Sequence, residues 1–321
     1  MAPAAAAAAA PAGLSPATRG WLLGALGVAL FALTIPMTRL ASGSLAAPQL
    51  SAEFVAIGRA ALAGLLAVVW LRAVRAAWPT PAQWRGLMLT ASGVVFGFPM
   101  FMGWAVQRVD AAHASVVNGL LPMATAVIGA VLLRQRASAA FWGCAALGMG
   151  LVLGFALWKG GARLQLADTL LLMAVLLGGF GYVMGARMST SGPGRPAMAP
   201  EQVISWVLVG CLPVTLPLAL WTAPADWAAI RPAAWGGFVY VSLISMWLGF
   251  FAWYRGLALG GMLRVSQVQL VQPFLSMWLA VPVLGETLDA VTVAFSLAVM
   301  ATVALARRLP VKVAVAPEAA R

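Results

Sequence analysis

Two apolar segments of this chain carry the same polar pattern at positions 151 residues apart. Each holds a hydroxyl, an amide, a proline and a second hydroxyl: Ser115, Asn118, Pro122 and Thr125 in the first, and Ser266, Gln269, Pro273 and Ser276 in the second. Spacings of 3, 4 and 3 residues place each set on one face of a helix. A proline within a helix removes one backbone donor and frees a carbonyl on the preceding turn, so both faces are predicted to be polar.

Paired polar faces of this kind predict a ligand site. Facing each other, they would line a central cavity with all four hydroxyl groups and both amides. An amide both donates and accepts hydrogen bonds, so Asn118 and Gln269 are suited to hold a zwitterion or a polar headgroup without burying net charge. The alternative is that the faces only bond the two helices together, with simple kinks at Pro122 and Pro273.

The elements that must position these residues are membrane spans. The chain has 321 residues, is 63% hydrophobic and only 9% charged, and has a mean hydropathy of +0.94, so lipid must solvate much of it. Apolar runs of roughly 20 residues indicate an all-α integral membrane protein with ten transmembrane helices. The predicted spans lie near 20–40, 51–72, 84–106, 112–133, 139–158, 166–187, 202–221, 235–254, 264–285 and 290–307.

The repeat divides these spans into two units of five. An odd number of helices brings the second unit into the membrane with the opposite orientation, which is the inverted-repeat plan of many secondary transporters. We therefore expect a first repeat over 20–158 and a second over 159–309. Residues 1–19, an Ala/Pro tract, and residues 310–321 are expected to be cytoplasmic tails, the first of them disordered.

The distribution of basic residues predicts the orientation. With both termini in the cytoplasm, fourteen of the twenty Lys and Arg residues fall on the cytoplasmic side, as the positive-inside rule requires. The chain is therefore expected in the cell inner (plasma) membrane. The net charge of +12 is explained by these loops and by anionic lipid, so no nucleic-acid partner is expected.

Arg59 and a set of aromatic residues are further candidates for the substrate site. Arg59 lies about eight residues into the second predicted span, where a charge is costly and is a functional hypothesis by default. The alternative is a structural pair or contact with helix ends. In the eighth span Trp247 and Tyr254 belong to an aromatic stripe, and Phe96 is the repeat counterpart of Trp247. They are predicted either to wall the cavity or to pack in the core.

Acidic residues and short motifs indicate which kinds of coupling, cofactor and catalysis to expect. Glu286 and Glu53 lie at span ends and are candidates for ion coupling, with helix-end contacts as the alternative. His113 is the single histidine, so neither a metal site nor a cofactor is expected. Without nucleotide-binding or hydrolase motifs, an enzyme is not expected. GxxxG pairs begin at Gly20, Gly93, Gly150, Gly181 and Gly256, and tight packing within one bundle is favoured over a dimer contact.

Several of these residues resemble a known family. The segment from Trp253 to Ala258, then Ser266, the mid-helix Pro273 and the Gly285-Glu286 pair are similar to the C-terminal pattern of EamA-type transporters of the drug/metabolite transporter superfamily. Arg59 is also similar to an arginine commonly seen in their second helix. The first repeat departs from the pattern, because Arg134, Gln135 and Arg136 stand where a Gly-Glu pair is usual.

The resemblance implies a secondary transporter of small metabolites, often an exporter of amino acids or amphipathic compounds. Its expected partners are a small-molecule substrate and the lipid bilayer, and the expected assembly is a monomer or homodimer. The alternative is a non-transporting membrane scaffold or sensor subunit. Paired polar faces argue against that alternative, because a scaffold has no use for a symmetric polar interior.

Overall fold

A computed structural model describes residues 15–132, 136–159, 161, 163–189, 196–260, 266–309 and 311–312. Eight of its helices are long and apolar enough to cross a membrane, and we number these spans in chain order: Thr18–Ser42, Ala52–Ala73, Pro81–Val106, Ala111–Leu132, Ala139–Lys159, Leu166–Met188, Pro200–Trp221 and Pro232–Gly256. Their ends agree with the first eight predicted spans to within about three residues. Two shorter apolar helices, Gln272–Leu284 and Ala290–Ala306, occupy the last two predicted positions and are called the ninth and tenth helices.

Four of the spans are interrupted. The second, fifth, sixth and seventh are continuous, and the tenth helix extends over Ala290–Arg308. The first span consists of Pro16–Ala32 and Thr34–Ser42, and the fourth of Ala111–Asn118 and Leu121–Leu132. The third and eighth spans each contain a π-helical segment: Pro81–Ala91, π-helical Ser92–Gly97 and Phe98–Val106 in the third, and Pro232–Tyr240, π-helical Val241–Leu248 and Gly249–Gly260 in the eighth.

The two repeated prolines lie at the points where helices restart. Pro122 is the second residue of Leu121–Leu132, directly after the break at Gly119. Pro273 is the second residue of Gln272–Leu284, which follows a 3₁₀-helix over Ser266–Val271. A proline is tolerated in a first helical turn because the N–H that it lacks has no partner there. The 3₁₀ turns explain why the ninth helix is shorter than the predicted span 264–285.

The first helix begins earlier than predicted. Its N-cap is Ser15, whose side chain accepts a hydrogen bond from the Thr18 amide, and Pro16 occupies the first helical position. These are strong start signals, so Pro16–Arg19 is helical although residues 1–19 were predicted as a disordered tail. Residues 1–14 lie outside the described part of the chain.

Loop contacts sort the chain into two faces. On one face Leu45 contacts Gln107, and Gln49 accepts from the Arg231 amide. On the other face Gln83 donates to the Pro196 carbonyl. Each contact joins loops that are an even number of helices apart, as antiparallel spans require.

The second face also holds a short sheet that a purely helical prediction lacks. Strands β1 (Arg136–Ala137) and β2 (Val311–Lys312) pair antiparallel. They join the loop after the fourth span to part of the predicted C-terminal tail. Both segments were predicted to be cytoplasmic, and the pairing places them on the same face.

Helix neighbours follow a two-fold pattern. The first span packs on the eighth and the third on the sixth. The second packs on the seventh, the fourth on the ninth helix and the fifth on the tenth helix. Exchanging each helix with the one five positions away reproduces these pairs, so the contacts have the symmetry that the sequence repeat predicts.

Glycines form the closest of these contacts. A Cβ atom on Gly93 in the third span would lie 2.3 Å from the Leu177 carbonyl oxygen of the sixth span. A Cβ atom on Gly256 in the eighth span would lie 2.5 Å from the Gly24 nitrogen of the first. Gly150 has no atom within 4 Å of an added Cβ. Small residues therefore allow close packing of the third span on the sixth and of the eighth span on the first, two contacts that the repeat relates.

A prediction concerns the ion pair between Lys159, at the end of the fifth span, and Asp289, which caps the tenth helix. The Lys159 ammonium holds the pKa of Asp289 down to about 2, from an ordinary 3.8. Because the folded-state pKa is lowered, this stabilisation is present above the ordinary pKa and is lost as pH falls through about 2. Thermal unfolding in detergent at pH values across that window is expected to show the loss in the wild type.

Two variants separate the ion pair from the helix cap. Asp289→Asn keeps a capping side chain but loses the charge, so it is expected to lack the acid-dependent loss and to be less stable at neutral pH by the amount that the wild type loses in acid. Asp289→Ala also removes the hydrogen bond to the Thr292 amide and is expected to cost about 1 kcal/mol more than Asp289→Asn at neutral pH. An acid-dependent loss of the same size in Asp289→Asn would contradict this assignment.

Candidate functional site

A central cavity lies between the two sets of helices. Its walls come from the first, second, third, fourth, sixth and eighth spans and the ninth helix. They are Phe31, Thr34, Ile35, Arg59, Val94, Phe98, Asn118, Leu121, Gly178, Tyr182, Ser245, Met246, Phe250 and Gln272. The volume that water can occupy is about 40 Å³, which is enough for a few water molecules. The cavity is therefore nearly closed in this conformation.

Among the described residues of that wall, Arg59 is the only charged one. Its side chain is buried, with 5% of its surface exposed. One guanidinium nitrogen, Nη2, lies 3.4 Å from the Ser245 hydroxyl, which is 2.8 Å from the Thr34 hydroxyl. Within the described ranges Nε has no hydrogen-bond partner and no carboxylate forms an ion pair with Arg59. A buried cation without a counter-ion is costly and is suited to receive an anionic group.

Asn118 presents the opposite hydrogen-bonding character to the same cavity. It is 5% exposed, and among the described residues its Oδ1 atom has no donor. Asn118 lies at the end of the short helix Ala111–Asn118, where the fourth span breaks. The break turns the amide toward the cavity instead of continuing the helix. Arg59 and Asn118 together therefore offer unused donors and an unused acceptor.

The two polar faces do meet, but the hydroxyl groups of Ser115 and Ser276 bond to each other. Ser115 Oγ lies 2.8 Å from Ser276 Oγ and donates to the Ala111 carbonyl. Thr125 donates to the Leu121 carbonyl of its own helix. These hydroxyls hold helices together or satisfy their own backbone, and they do not line the central cavity.

Gln269 lies beside a second, smaller space next to the central cavity. That space is lined by Asn118, Gly119, Leu121, Pro122, Gln269, Gln272, Pro273 and Met300. Asn118 and Gln269 both line this second space, so the two repeated amides lie close together. Asn118, Leu121 and Gln272 are common to both spaces. Ser266 begins the 3₁₀-helix, and its side chain is outside the description.

Gln272 is a cavity residue that α-helical spacing misses. Counted at 3.6 residues per turn, it lies about 60° from Gln269 and about 100° from Pro273, at the edge of the predicted face. The backbone before it is a 3₁₀-helix, Ser266–Val271, in which residues three apart share a face. Gln269 and Gln272 therefore point in similar directions.

The predicted aromatic wall belongs to the core. Trp247 donates through Nε1 to the Ser205 hydroxyl at 2.9 Å and packs against Trp70. Tyr254 packs on Phe250, with ring centroids 5.3 Å apart, and Phe96 packs against core clusters. None of the three predicted aromatics is part of the cavity wall.

Other rings take the place of that wall. They are Phe31, Phe98, Tyr182 and Phe250. Sequence spacing did not single them out, because each is one aromatic among many apolar neighbours. Thr34 and Ser245 were also missed, since a single hydroxyl within a span has no repeated partner to mark it.

Glu286 and Glu53 lie at helix ends on one face, away from the central cavity. The Glu286 carboxylate accepts hydrogen bonds from the Ala111 and Ala112 amides at 2.7 and 2.9 Å. Burial raises the pKa of Glu286, although these two donors act in the opposite direction. Glu53 accepts from the Trp104 indole at 2.5 Å.

Glu286 also borders an open vestibule of about 430 Å³ on that face, with Arg39, Asp110 and Arg231 among its walls. Arg39 donates to the Val106 carbonyl. Ile35, one turn before Arg39 on the first span, is part of the central cavity. The vestibule and the cavity are therefore separated by about one helical turn of that span.

Comparison with known proteins identifies the class. The EamA-like transporter family matches the chain twice, over residues 18–157 and 165–308. The chain therefore belongs to the EamA-like transporter family, and it is a multi-pass membrane transporter, not an enzyme. The two matched segments correspond to the two repeats that the sequence and the helix contacts define.

A curated relative agrees with that assignment, and a solved structure shares the fold. The chain is 42% identical over 291 residues to the "Uncharacterized transporter YdeK" of Bacillus subtilis (strain 168), covering 91% of this chain and 98% of the relative. A solved crystal structure superimposes with a TM-score of 0.60 at 17% identity, covering 91% of this chain and 98% of its own. At that identity the superposition shows the fold alone.

Proposed function

We propose that this protein is a secondary transporter that carries amino acids or related amphipathic metabolites by alternating access at the central cavity. The observation that carries the proposal is Arg59, a buried cation with an unpaired Nε atom and no carboxylate partner among the described residues. An arginine at the centre of a membrane helix costs about 2.5–3.5 kcal/mol on insertion scales. A substrate anion would offset that cost.

The surrounding residues support a zwitterionic, partly apolar substrate. A carboxylate would accept from the Arg59 guanidinium, next to the Ser245 and Thr34 hydroxyls. The free Asn118 oxygen would accept from an ammonium or another donor. The Phe98 and Phe250 rings would enclose the apolar part.

The size of the cavity supports alternation between closed and open forms. Small-molecule sites usually have volumes of about 300–1,000 Å³, far above the 40 Å³ open to water here. Substrate binding therefore requires the helices on one side to separate. Relative motion of the two repeats around the cavity provides such access from each side in turn.

The proposed architecture is ten transmembrane helices in two inverted repeats, over 20–158 and 159–309. The loop contacts support it, because they place alternate loops together on two faces. We propose cytoplasmic termini in the inner membrane, supported by the fourteen basic residues on that side. Export is the proposed direction, as in many carriers of the type that this sequence resembles. One chain supplies the whole site, so a monomer is the proposed functional unit.

A binding screen tests the site. Thermal-shift assays on the purified protein with the amino acids and amphipathic amines are expected to give at least one stabilising ligand. Asn118→Ala combined with Gln269→Ala is expected to weaken its binding at least about tenfold, because the buried partners of its polar groups are lost. Thr125→Val is the matched control, since Thr125 bonds only to its own helix.

Full affinity in the Asn118/Gln269 double variant would reject the proposed cavity. Uptake into liposomes that contain the purified protein tests transport itself. If vesicles pass none of the ligands that bind, the non-transporting scaffold or sensor would be favoured instead.

A further inference from the structure

An ion pair buried within the helix bundle takes no part in the proposed substrate site. His113 Nε2 lies 2.8 Å from Asp168 Oδ1, and the two side chains are only 8% and 3% exposed. His113 is on the fourth span and Asp168 on the sixth, so the pair joins the first repeat to the second. The His113 ring also packs on Phe155, with centroids 4.8 Å apart.

The short helix that carries His113 is fixed by the second repeat at three points. The amides of Ala111 and Ala112 donate to Glu286. His113 bonds to Asp168, and Ser115 bonds to Ser276. The same eight-residue helix ends at Asn118 in the central cavity. Movement of this helix would change the vestibule and the cavity together.

We propose that His113 and Asp168 form a proton-binding site whose occupancy controls the opening of the vestibule side of the bundle. With one proton the pair has no net charge, whichever atom holds the proton. Loss of that proton leaves a neutral imidazole beside the Asp168 carboxylate, and one negative charge is then buried without a compensating positive charge. Water relieves that cost, so deprotonation favours separation of the fourth span from the sixth.

Arg59 lines the central cavity together with Asn118, the last residue of this helix. The other charged groups near the helix occupy the surrounding loops and helix ends. Those on the elements packed around it are Arg39, Arg108, Asp110, Lys159, Arg163, Glu286 and Asp289. Lys159 pairs with Asp289, while Arg39 and Arg108 donate to backbone carbonyls. The remaining oxygen of Asp168 accepts from the Gln165 amide. Glu286 is the other titratable group in direct contact with the helix, and the test must separate it from the pair.

A cysteine reporter measures the opening without any substrate. Ala280 on the ninth helix is fully buried against the fourth span, so Ala280→Cys reacts with a membrane-impermeant thiol reagent only when that side opens. The native Cys144 and Cys211 are buried and are replaced by alanine. Ala46→Cys, at an exposed loop position, corrects for the pH dependence of thiol reactivity.

The ratio of the Ala280→Cys to the Ala46→Cys modification rates is expected to rise at least about tenfold from about pH 6.5 to about pH 8.5, since one proton can contribute up to tenfold per pH unit. His113→Gln and Asp168→Asn are both expected to abolish the rise, for opposite reasons. His113→Gln leaves the Asp168 carboxylate charged without its partner over the whole range, so the ratio is expected to be high throughout. Asp168→Asn leaves no carboxylate to be buried, so the ratio is expected to stay low throughout. Glu286→Gln is expected to retain the rise.

Three results would overturn the proposal: no rise in the parent protein, a rise that persists in both pair variants, or a rise that is lost only in Glu286→Gln. If Ala280→Cys fails to fold, hydrogen exchange of residues 111–118, corrected for intrinsic rates at each pH, makes the same comparison. Neither measurement uses a transported ligand, so its outcome is independent of the proposed substrate.

Discussion

Replacing Arg59 with methionine is expected to abolish substrate binding and at the same time to make the protein more stable. The buried guanidinium has no carboxylate partner among the described residues, so an apolar side chain of similar length removes an uncompensated charge. We expect the free energy of unfolding to increase by about 1–3 kcal/mol. Ligand affinity is expected to fall at least about 100-fold, since a charged hydrogen-bond partner is lost.

Both effects are measured on one preparation, as the melting temperature without ligand and the shift produced by ligand. Arg72→Met is the matched control, because Arg72 is exposed at the end of the same helix and is expected to change neither value much. Arg59→Lys keeps the charge but loses the planar guanidinium that can bind a carboxylate through two nitrogens, so intermediate affinity is expected. A destabilised Arg59→Met protein that still binds ligand would show that Arg59 is structural.

Gly93→Ala is expected to be strongly destabilising, because it adds a methyl group at a backbone-to-backbone contact between two spans. The new Cβ would lie 2.3 Å from the Leu177 carbonyl oxygen and 2.6 Å from the Gly181 nitrogen, both backbone atoms that a side-chain rotation cannot clear. The third and sixth spans would have to separate, at a cost of about 3 kcal/mol or more. The melting temperature and the yield of monodisperse protein after extraction measure the effect.

Gly150→Ala is the control, and it is expected to increase stability where Gly93→Ala decreases it. An added Cβ there meets nothing within 4 Å, and alanine is the better helix former by about 0.5–1 kcal/mol. Gly256→Ala, at the related contact of the eighth span with the first, is expected to behave like Gly93→Ala. Equal stability of the Gly93 and Gly150 variants would contradict the helix packing described above.

The pattern of apolar residues in the sequence predicts the positions of the membrane spans. Eight spans match their predicted positions because hydropathy alone determines a helix of sufficient length in a bilayer. The repeat predicted the contact of the fourth span with the ninth helix, and Asn118 and Arg59 do line the cavity.

What periodicity could not predict depends on departures from the regular α-helix. The 3₁₀ turns before Gln272 bring that residue into the cavity wall. A regular count left Trp247 as either a cavity or a core residue, and the structure places it in the core, where the eighth span is π-helical and Trp247 bonds to Ser205. The burial of Asp168 was also missed, because its partner His113 is 55 residues away in sequence.

The π-helical segments of the third and eighth spans make the number of residues before the cavity more important than their identity. Phe98 follows directly after Ser92–Gly97, and Phe250 lies two residues after Val241–Leu248. In an α-helix each residue adds about 100° of rotation and 1.5 Å of rise. Shortening either segment by one residue would therefore turn its phenylalanine to a different side of the span. A deletion there that spares Ser245 would remove one wall of the cavity while leaving every polar contact residue in the sequence.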